Sequence, residues 1–221
     1  MTVDLRVVGD PAQTAAELLA ENAVPGAHVA LSGGNTVGSV YELAARLQPR
    51  WRDVDVWFGD ERSVPPDDQR SNYRLVRGRL VEGLAVPPLV HRIHGELPAE
   101  EAAASYDAEL AGVTLHVALN GIGADGHTAS LFPRAPALAE TERRAVAVEP
   151  GLDPLVPRVT MTPPMFAGCS LLVYVVTGEA KAEAVRRSFA ADPSPDTPAS
   201  LIRGRTTVTL LDFAAAALLD G

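Results

Sequence analysis

Near the middle of the 221-residue chain the run LHVALNGIGADGHTASLFP sets Asp125, Gly126 and His127 in a glycine-rich loop directly after an apolar segment. A histidine at such a strand end, with a carboxylate two residues earlier, suits a neutral imidazole that takes a proton from water near pH 7. The same loop holds Gly121, Gly123 and Gly126 in the spacing GxGxxG, with Glu149 lying 23 residues beyond Gly126. That pattern formally satisfies a dinucleotide fingerprint and raises a nicotinamide-dependent oxidoreductase as one reading. Pro133 and Pro136 argue against it, because they stop any following helix within about two turns. The motif also sits at mid-chain and not in the first βα unit.

Two further loops could meet an anion. Ser32-Gly33-Gly34-Asn35-Thr36 lies between HVAL and VGSVYELAARL. Glycines allow a sharp turn and close backbone approach, and the next helix aims its unpaired N–H groups into it, which suits a phosphate. The plainer reading is a strand-to-helix turn capped by Asn35 or Thr36. No Gly-Lys-Ser/Thr follows, so it is not a Walker loop. Gly59-Asp60-Glu61-Arg62 follows VDVWF, and a solvated turn is the commoner explanation of such a charged run; Ser71, downstream, reads as a helix N-cap. His91 and His94 flank Pro- and Gly-bounded irregular chain and do not suggest a metal site. Cys169, before a buried strand, reads as core.

The elements that must position these loops alternate. Strands are expected at 5–8, 28–32, 54–58, 115–120, 145–148, 171–177 and 206–210, and helices at 11–22, 37–47, 72–84, 98–110, 179–190 and 212–219. Apolar residues at successive strand positions indicate burial on both faces, and the alternation predicts a doubly wound α/β fold with a mostly parallel sheet. The proline-rich stretches at 149–157 and 192–198 read as loops within a single domain spanning 1–221. In such sheets ligands bind at the carboxyl ends of the strands, where the unusual residues lie.

Composition narrows the function classes. With 19 basic and 28 acidic side chains the formal charge is −9, which gives no footprint for nucleic acid. A single cysteine excludes a disulfide framework. Asp4 and Arg6 interrupt any amino-terminal apolar core, and no run approaches the ~20 apolar residues that span a bilayer, so a cytoplasmic protein without membrane partners is expected. Of the 19 basic residues, 18 are Arg; Lys181 is the only lysine.

The motifs SGGNT, GDER…SNY, GIGADGHTASLFP, PRVTMT and GEAKA, in this order, resemble the 6-phosphogluconolactonase family, part of a larger group with the glucosamine-6-phosphate deaminases. The resemblance covers essentially the whole chain. It implies a Rossmann-like fold and hydrolysis of 6-phospho-D-glucono-1,5-lactone to 6-phosphogluconate, with no metal or organic cofactor, by a monomer or small homo-oligomer. The deaminases carry a catalytic Glu seven residues after the Asp of the shared core; here that position is Phe132, which favours the lactonase. Asn35 and Val37 depart from the family's SGGSTP, as does Thr209 from its WxxDxAA pattern, without removing an ionisable group.

The resemblance and placement together imply His127 as general base, with Asp125 or Glu61 orienting its imidazole. The backbone of Gly121, Gly123 and Gly126 is expected to stabilise the oxyanion. Ser32, Gly33, Gly34, Arg62, Arg158 and Lys181 are expected to hold the phosphate.

Overall fold

The computed structural model describes residues 2–151, 153 and 155–219; Leu152 and Pro154 of the 149–157 stretch lie outside the described residues. In chain order the elements are β1 (Thr2–Val7), α1 (Pro11–Asn22), β2 (His28–Leu31), α2 (Asn35–Leu47), β3 (Asp55–Phe58), β4 (Asp60–Arg62), α3 (Asn72–Arg79), β5 (Leu89–Val90), α4 (Ala99–Glu109), β6 (Val117–Asn120), β7 (Ala145–Val148), β8 (Arg158–Met161), α5 (Pro163–Gly168), β9 (Leu171–Val176), α6 (Ala182–Phe189) and β10 (Thr206–Leu211). Local chemistry sets several boundaries. Pro11 begins α1 at a position whose N–H would be unpaired anyway, and Asp10 accepts the Gln13 amide at 3.0 Å. Ser71 caps α3 by accepting the Arg74 amide at 3.1 Å.

Seven strands form a sheet in the order β1-β10-β9-β6-β2-β3-β5. Every pairing in it is parallel. All four residues of β6 are buried, as are the last three of β2 and the last five of β9. Successive side chains point to opposite faces, so the centre of the sheet is covered on both sides. The chain leaves β2 toward β3 on one side and toward β6 on the other, which makes the β2/β6 junction the topological switch point.

A second, three-stranded antiparallel sheet, β4-β8-β7, is absent from the sequence reading. The charged run after β3 is β4, and Asp60 and Glu61 in it are buried, so it is not a solvated turn. A three-residue strand is too short to carry a periodic pattern, and its partner comes from far along the chain. The expected helix at 212–219 is a series of turns in which only the Ala216 amide bonds four residues back, to Asp212, while the Leu219 amide reaches Ala216. Residues 81–83 and 179–181 are 3₁₀ turns flanking shorter α-helices.

Candidate active site

The loops after β2, β3, β6 and β9 converge on a cavity of about 370 Å³. Ser32, Gly33 and Gly34 line one wall, Arg62 and Arg158 another, and Gly121, Gly123, His127 and Lys181 the remainder. The loops are tied to one another beneath the cavity. The Ser32 hydroxyl donates to Asn120 Oδ1 at 2.8 Å, joining the two strands of the switch point. The buried Tyr41 hydroxyl, on α2, donates to the Ser32 carbonyl at 2.5 Å and accepts its amide at 3.0 Å. Helix α2 starts from Gly34, which has no side chain to cap it. Thr36 instead places its hydroxyl 3.3 Å from that of Thr177, at the end of β9. Unpaired amides at a helix N-terminus facing a cavity favour an anion.

His127 stands against this cavity with Nδ1 2.6 Å from Asp125 Oδ1, and the same oxygen accepts the His127 amide at 3.1 Å. With Nδ1–H donating to the carboxylate, Nε2 is left as the basic nitrogen. Partial burial pushes the Asp125 carboxyl up, but the hydrogen bonds and charge of His127 outweigh it and hold the group below its ordinary value. A Cβ on Gly123 would lie 2.0 Å from His127 Nδ1 and 2.5 Å from Asp125 Oδ1, so glycine is what lets the dyad sit against the loop.

Glu61 does not touch the imidazole. Its carboxylate accepts the amides of Arg62 at 2.7 Å, Asn72 at 2.8 Å and Tyr73 at 2.8 Å, and the Ser71 hydroxyl at 2.9 Å. Burial pushes this carboxyl up while the four donors pull it down. It fastens the start of α3 to β4, and among the described residues Asp125 is the carboxylate hydrogen-bonded to the ring. Two of the three loop amides are engaged within the turn itself. Gly123 donates to the His127 carbonyl at 2.8 Å and Gly126 to the Gly123 carbonyl at 2.9 Å, so neither is free for an oxyanion. Gly121 remains on the cavity wall.

The cations come from three directions. Arg62 and Arg158 are directly opposed in the β4/β8 register. Like charges facing each other across strands repel, and an anion between them reverses the sign. Arg62 is fixed by a 2.6 Å bond from Nη1 to the Arg70 carbonyl, and the Arg158 guanidinium lies 5.4 Å over the Phe132 ring. Burial pulls Arg158 below its ordinary value and Asp60 pulls it back. Lys181 closes a 3₁₀ turn and serves as the N-cap residue of α6, where the helix dipole opposes a cation. Burial lowers its ammonium, with the Asp125 charge acting the other way.

Sequence reasoning passed over two contributors. Asp60 lines the cavity and is held by Ser130 Oγ at 2.6 Å and Asn72 Nδ2 at 3.0 Å. Its position as the first charge after a buried strand was the available signal. Asp212, at the end of β10, accepts the Gly178 amide at 2.9 Å and so fixes the turn that carries Lys181.

The remaining histidines lie elsewhere. His28 accepts from Trp57 Nε1 at 3.1 Å, His116 accepts the His28 amide at 3.0 Å, and His91 is set between Asp55 and Glu109 at 2.6 Å from each. Among the described residues no group of three His, Cys, Asp or Glu side chains is placed to hold a metal ion. Among the described residues no α-helix follows the GxGxxG loop before α5, so the dinucleotide arrangement of strand, loop and helix is not formed there.

A profile of the family described as Glucosamine-6-phosphate isomerases/6-phosphogluconolactonase matches residues 5–211. The chain is 32% identical over 205 residues to a 6-phosphogluconolactonase of Haemophilus influenzae, covering 87% of each. It is 36% identical over 207 residues to one of Homo sapiens, covering 86% of this chain and 79% of that one. The fold matches the solved structure of 6-phosphogluconolactonase from Trypanosoma cruzi with a TM-score of 0.87 at 26% identity, covering 100% of this chain and 99% of that one.

Proposed function

The chain belongs to the glucosamine-6-phosphate isomerase/6-phosphogluconolactonase family, and from that premise we propose that it hydrolyses 6-phospho-D-glucono-1,5-lactone to 6-phospho-D-gluconate, the second step of the oxidative pentose phosphate pathway. The observation that carries the reading is the His127–Asp125 dyad on a cavity shared with three cations. His127 Nε2 removes a proton from water as the oxygen attacks the lactone carbonyl, and the proton is then delivered to the departing ring oxygen. The oxyanion draws on donors that face the cavity, Gly121 and the guanidinium groups of Arg62 and Arg158. The phosphate is held by the turn Ser32, Gly33, Gly34 and by Lys181, within the field of the same two arginines. Water and these side chains suffice for the chemistry as written.

The deaminase reading lacks its acid: the corresponding Phe132 is an apolar ring 5.2 Å from the imidazole. One domain spanning 1–221 carries the whole site in this proposal, in a cytoplasmic enzyme with no nucleic-acid or membrane partner. No helix among the described residues is long and apolar enough to cross a membrane. The test is lactone consumption above the spontaneous rate, with ammonia release from glucosamine 6-phosphate and NAD(P) binding as controls. His127→Ala, properly folded, is expected to lose the ~10²–10⁴-fold acceleration that a general base supplies. Full activity in that variant removes His127 as the base.

A further inference from the structure

Strand β1 closes one side of the seven-stranded sheet, and among the described residues no strand pairs with its outer edge. Its register with β10 runs without a break from Thr2↔Thr206 to Val7↔Leu211, with no bulge and no proline. Natural edge strands are commonly blunted by those devices or by charged side chains, and the two charges on β1, Asp4 and Arg6, are of opposite sign and paired with each other. Here the Val8 amide bonds the Leu211 carbonyl at 2.9 Å. By the alternation of a strand, Arg6 and Asp4 therefore also turn their backbone groups toward β10, while Val3, Leu5 and Val7 turn theirs outward. The side chains of those three residues share one face and are 41%, 39% and 44% exposed. On the other face Arg6 Nε donates to Asp4 Oδ2 at 2.8 Å.

The sequence Val3-Asp4-Leu5-Arg6-Val7 is self-complementary when reversed. We propose that β1 pairs antiparallel with β1 of a second copy about a two-fold axis through Leu5, joining two sheets into one. In that register Leu5 faces Leu5, Val3 faces Val7, and Asp4 faces Arg6 twice over. The outward amides and carbonyls of Val3, Leu5 and Val7 form three hydrogen-bonded pairs, giving six backbone bonds. A two-fold perpendicular to the sheet keeps the apolar side chains of both copies on one side, so six of them meet as one strip.

Charge selects the register. Moving the axis to Asp4 opposes Asp4 to Asp4, and moving it to Arg6 opposes Arg6 to Arg6; a one-residue slip opposes the outward backbone groups to residues whose groups turn toward β10, and the ladder is lost. The strip has no net charge, so pairing there adds no local repulsion between two chains of net charge −9. The candidate cavity lies at the carboxyl ends of β2, β3, β6 and β9, and none of these five residues lines it.

Sedimentation equilibrium over a range of concentrations tests the proposal. The expected result is a species of twice the 23.3 kDa chain mass that dissociates on dilution. Asp4→Arg and Arg6→Asp each place like charges opposite one another at two symmetric points and are expected to weaken association about tenfold. The double variant Asp4→Arg/Arg6→Asp restores opposite charges and is expected to restore the dimer. Hydrogen exchange on the wild type supplies a readout independent of any variant: the Leu5 and Val7 amides gain protection at concentrations where the dimer forms. A single 23.3 kDa species at concentrations that half-populate a complex with Kd about 100 μM overturns the proposal. So does a dimer indifferent to the charge reversals, or a double variant that stays dissociated.

Discussion

Asp125→Asn isolates the role of the carboxylate behind the imidazole. The side chain keeps its size and loses its charge at an oxygen that accepts both His127 Nδ1 at 2.6 Å and the His127 amide at 3.1 Å. A hydrogen bond to a charged group contributes ~1.5–3 kcal/mol and a neutral one ~0.5–1.5. The loss is therefore about 1–2 kcal/mol if the amide oxygen takes the place of the carboxylate oxygen, and 1.36 kcal/mol is tenfold in rate. If the amide turns over, its NH₂ donates to Nδ1, the ring proton moves to Nε2, and the base is lost altogether. The variant should show kcat reduced about five- to thirtyfold, or more if the amide turns over. KM near neutrality should change little, since the anion contacts are intact. A second consequence concerns Lys181, whose lowered ammonium is held up in part by the Asp125 charge. Removing that charge lowers it further, so KM should begin to rise at a less alkaline pH than in the wild type. The assay follows lactone disappearance, subtracting the spontaneous rate, with lactone generated in situ by oxidation of glucose 6-phosphate. A kcat within twofold of wild type, or a defect confined to KM at neutral pH, would refute the orienting role.

Lys181→Ala should raise KM more than it lowers kcat, and an unchanged KM in the same assay removes it from the phosphate site. Gly123→Ala should cut kcat strongly with little change in thermal midpoint, because the added Cβ falls 2.0 Å from His127 Nδ1 and the dyad must yield. Glu61→Gln turns an NH₂ toward two of the four donors that the carboxylate accepts. It should cost about 2–4 kcal/mol in urea unfolding at unchanged m-value, with kcat of the folded fraction retained. The Arg92 guanidinium holds the Glu96 carboxyl down at about 2, from an ordinary 4.5. A carboxyl depressed in the folded state adds stability above its unfolded pKa and loses it as pH falls toward the folded one. Wild type should thus lose about 0.5 kcal/mol between pH 5 and 2 that Glu96→Gln never had, a partly exposed pair being screened by solvent. Parallel pH–stability curves for the two proteins would contradict this.

Much of this protein is local, and local features are legible in a chain. Asp125 and His127 are two residues apart, so their contact follows from one loop. Asp10 and Pro11, Ser71, and the glycine turn before α2 mark helix starts through chemistry within a few residues. Runs such as LLVYVV announce a strand buried on both faces, and their alternation with amphipathic stretches forces a parallel sheet with its ligand loops at one end. The limit is distance along the chain. Whether Glu61 faced the imidazole or α3 depended on β4 pairing with β8, and three residues of strand carry no period from which to read that pairing. The same pairing turned a charged run into buried structure and set Arg62 against Arg158, two cations whose proximity no spacing reveals. Amides that look available in a glycine loop were engaged by its own turn. Sequence fixes which groups can do chemistry, because it fixes composition and local conformation; only the tertiary structure decides which of them share a cavity, because long-range pairing sets direction and burial.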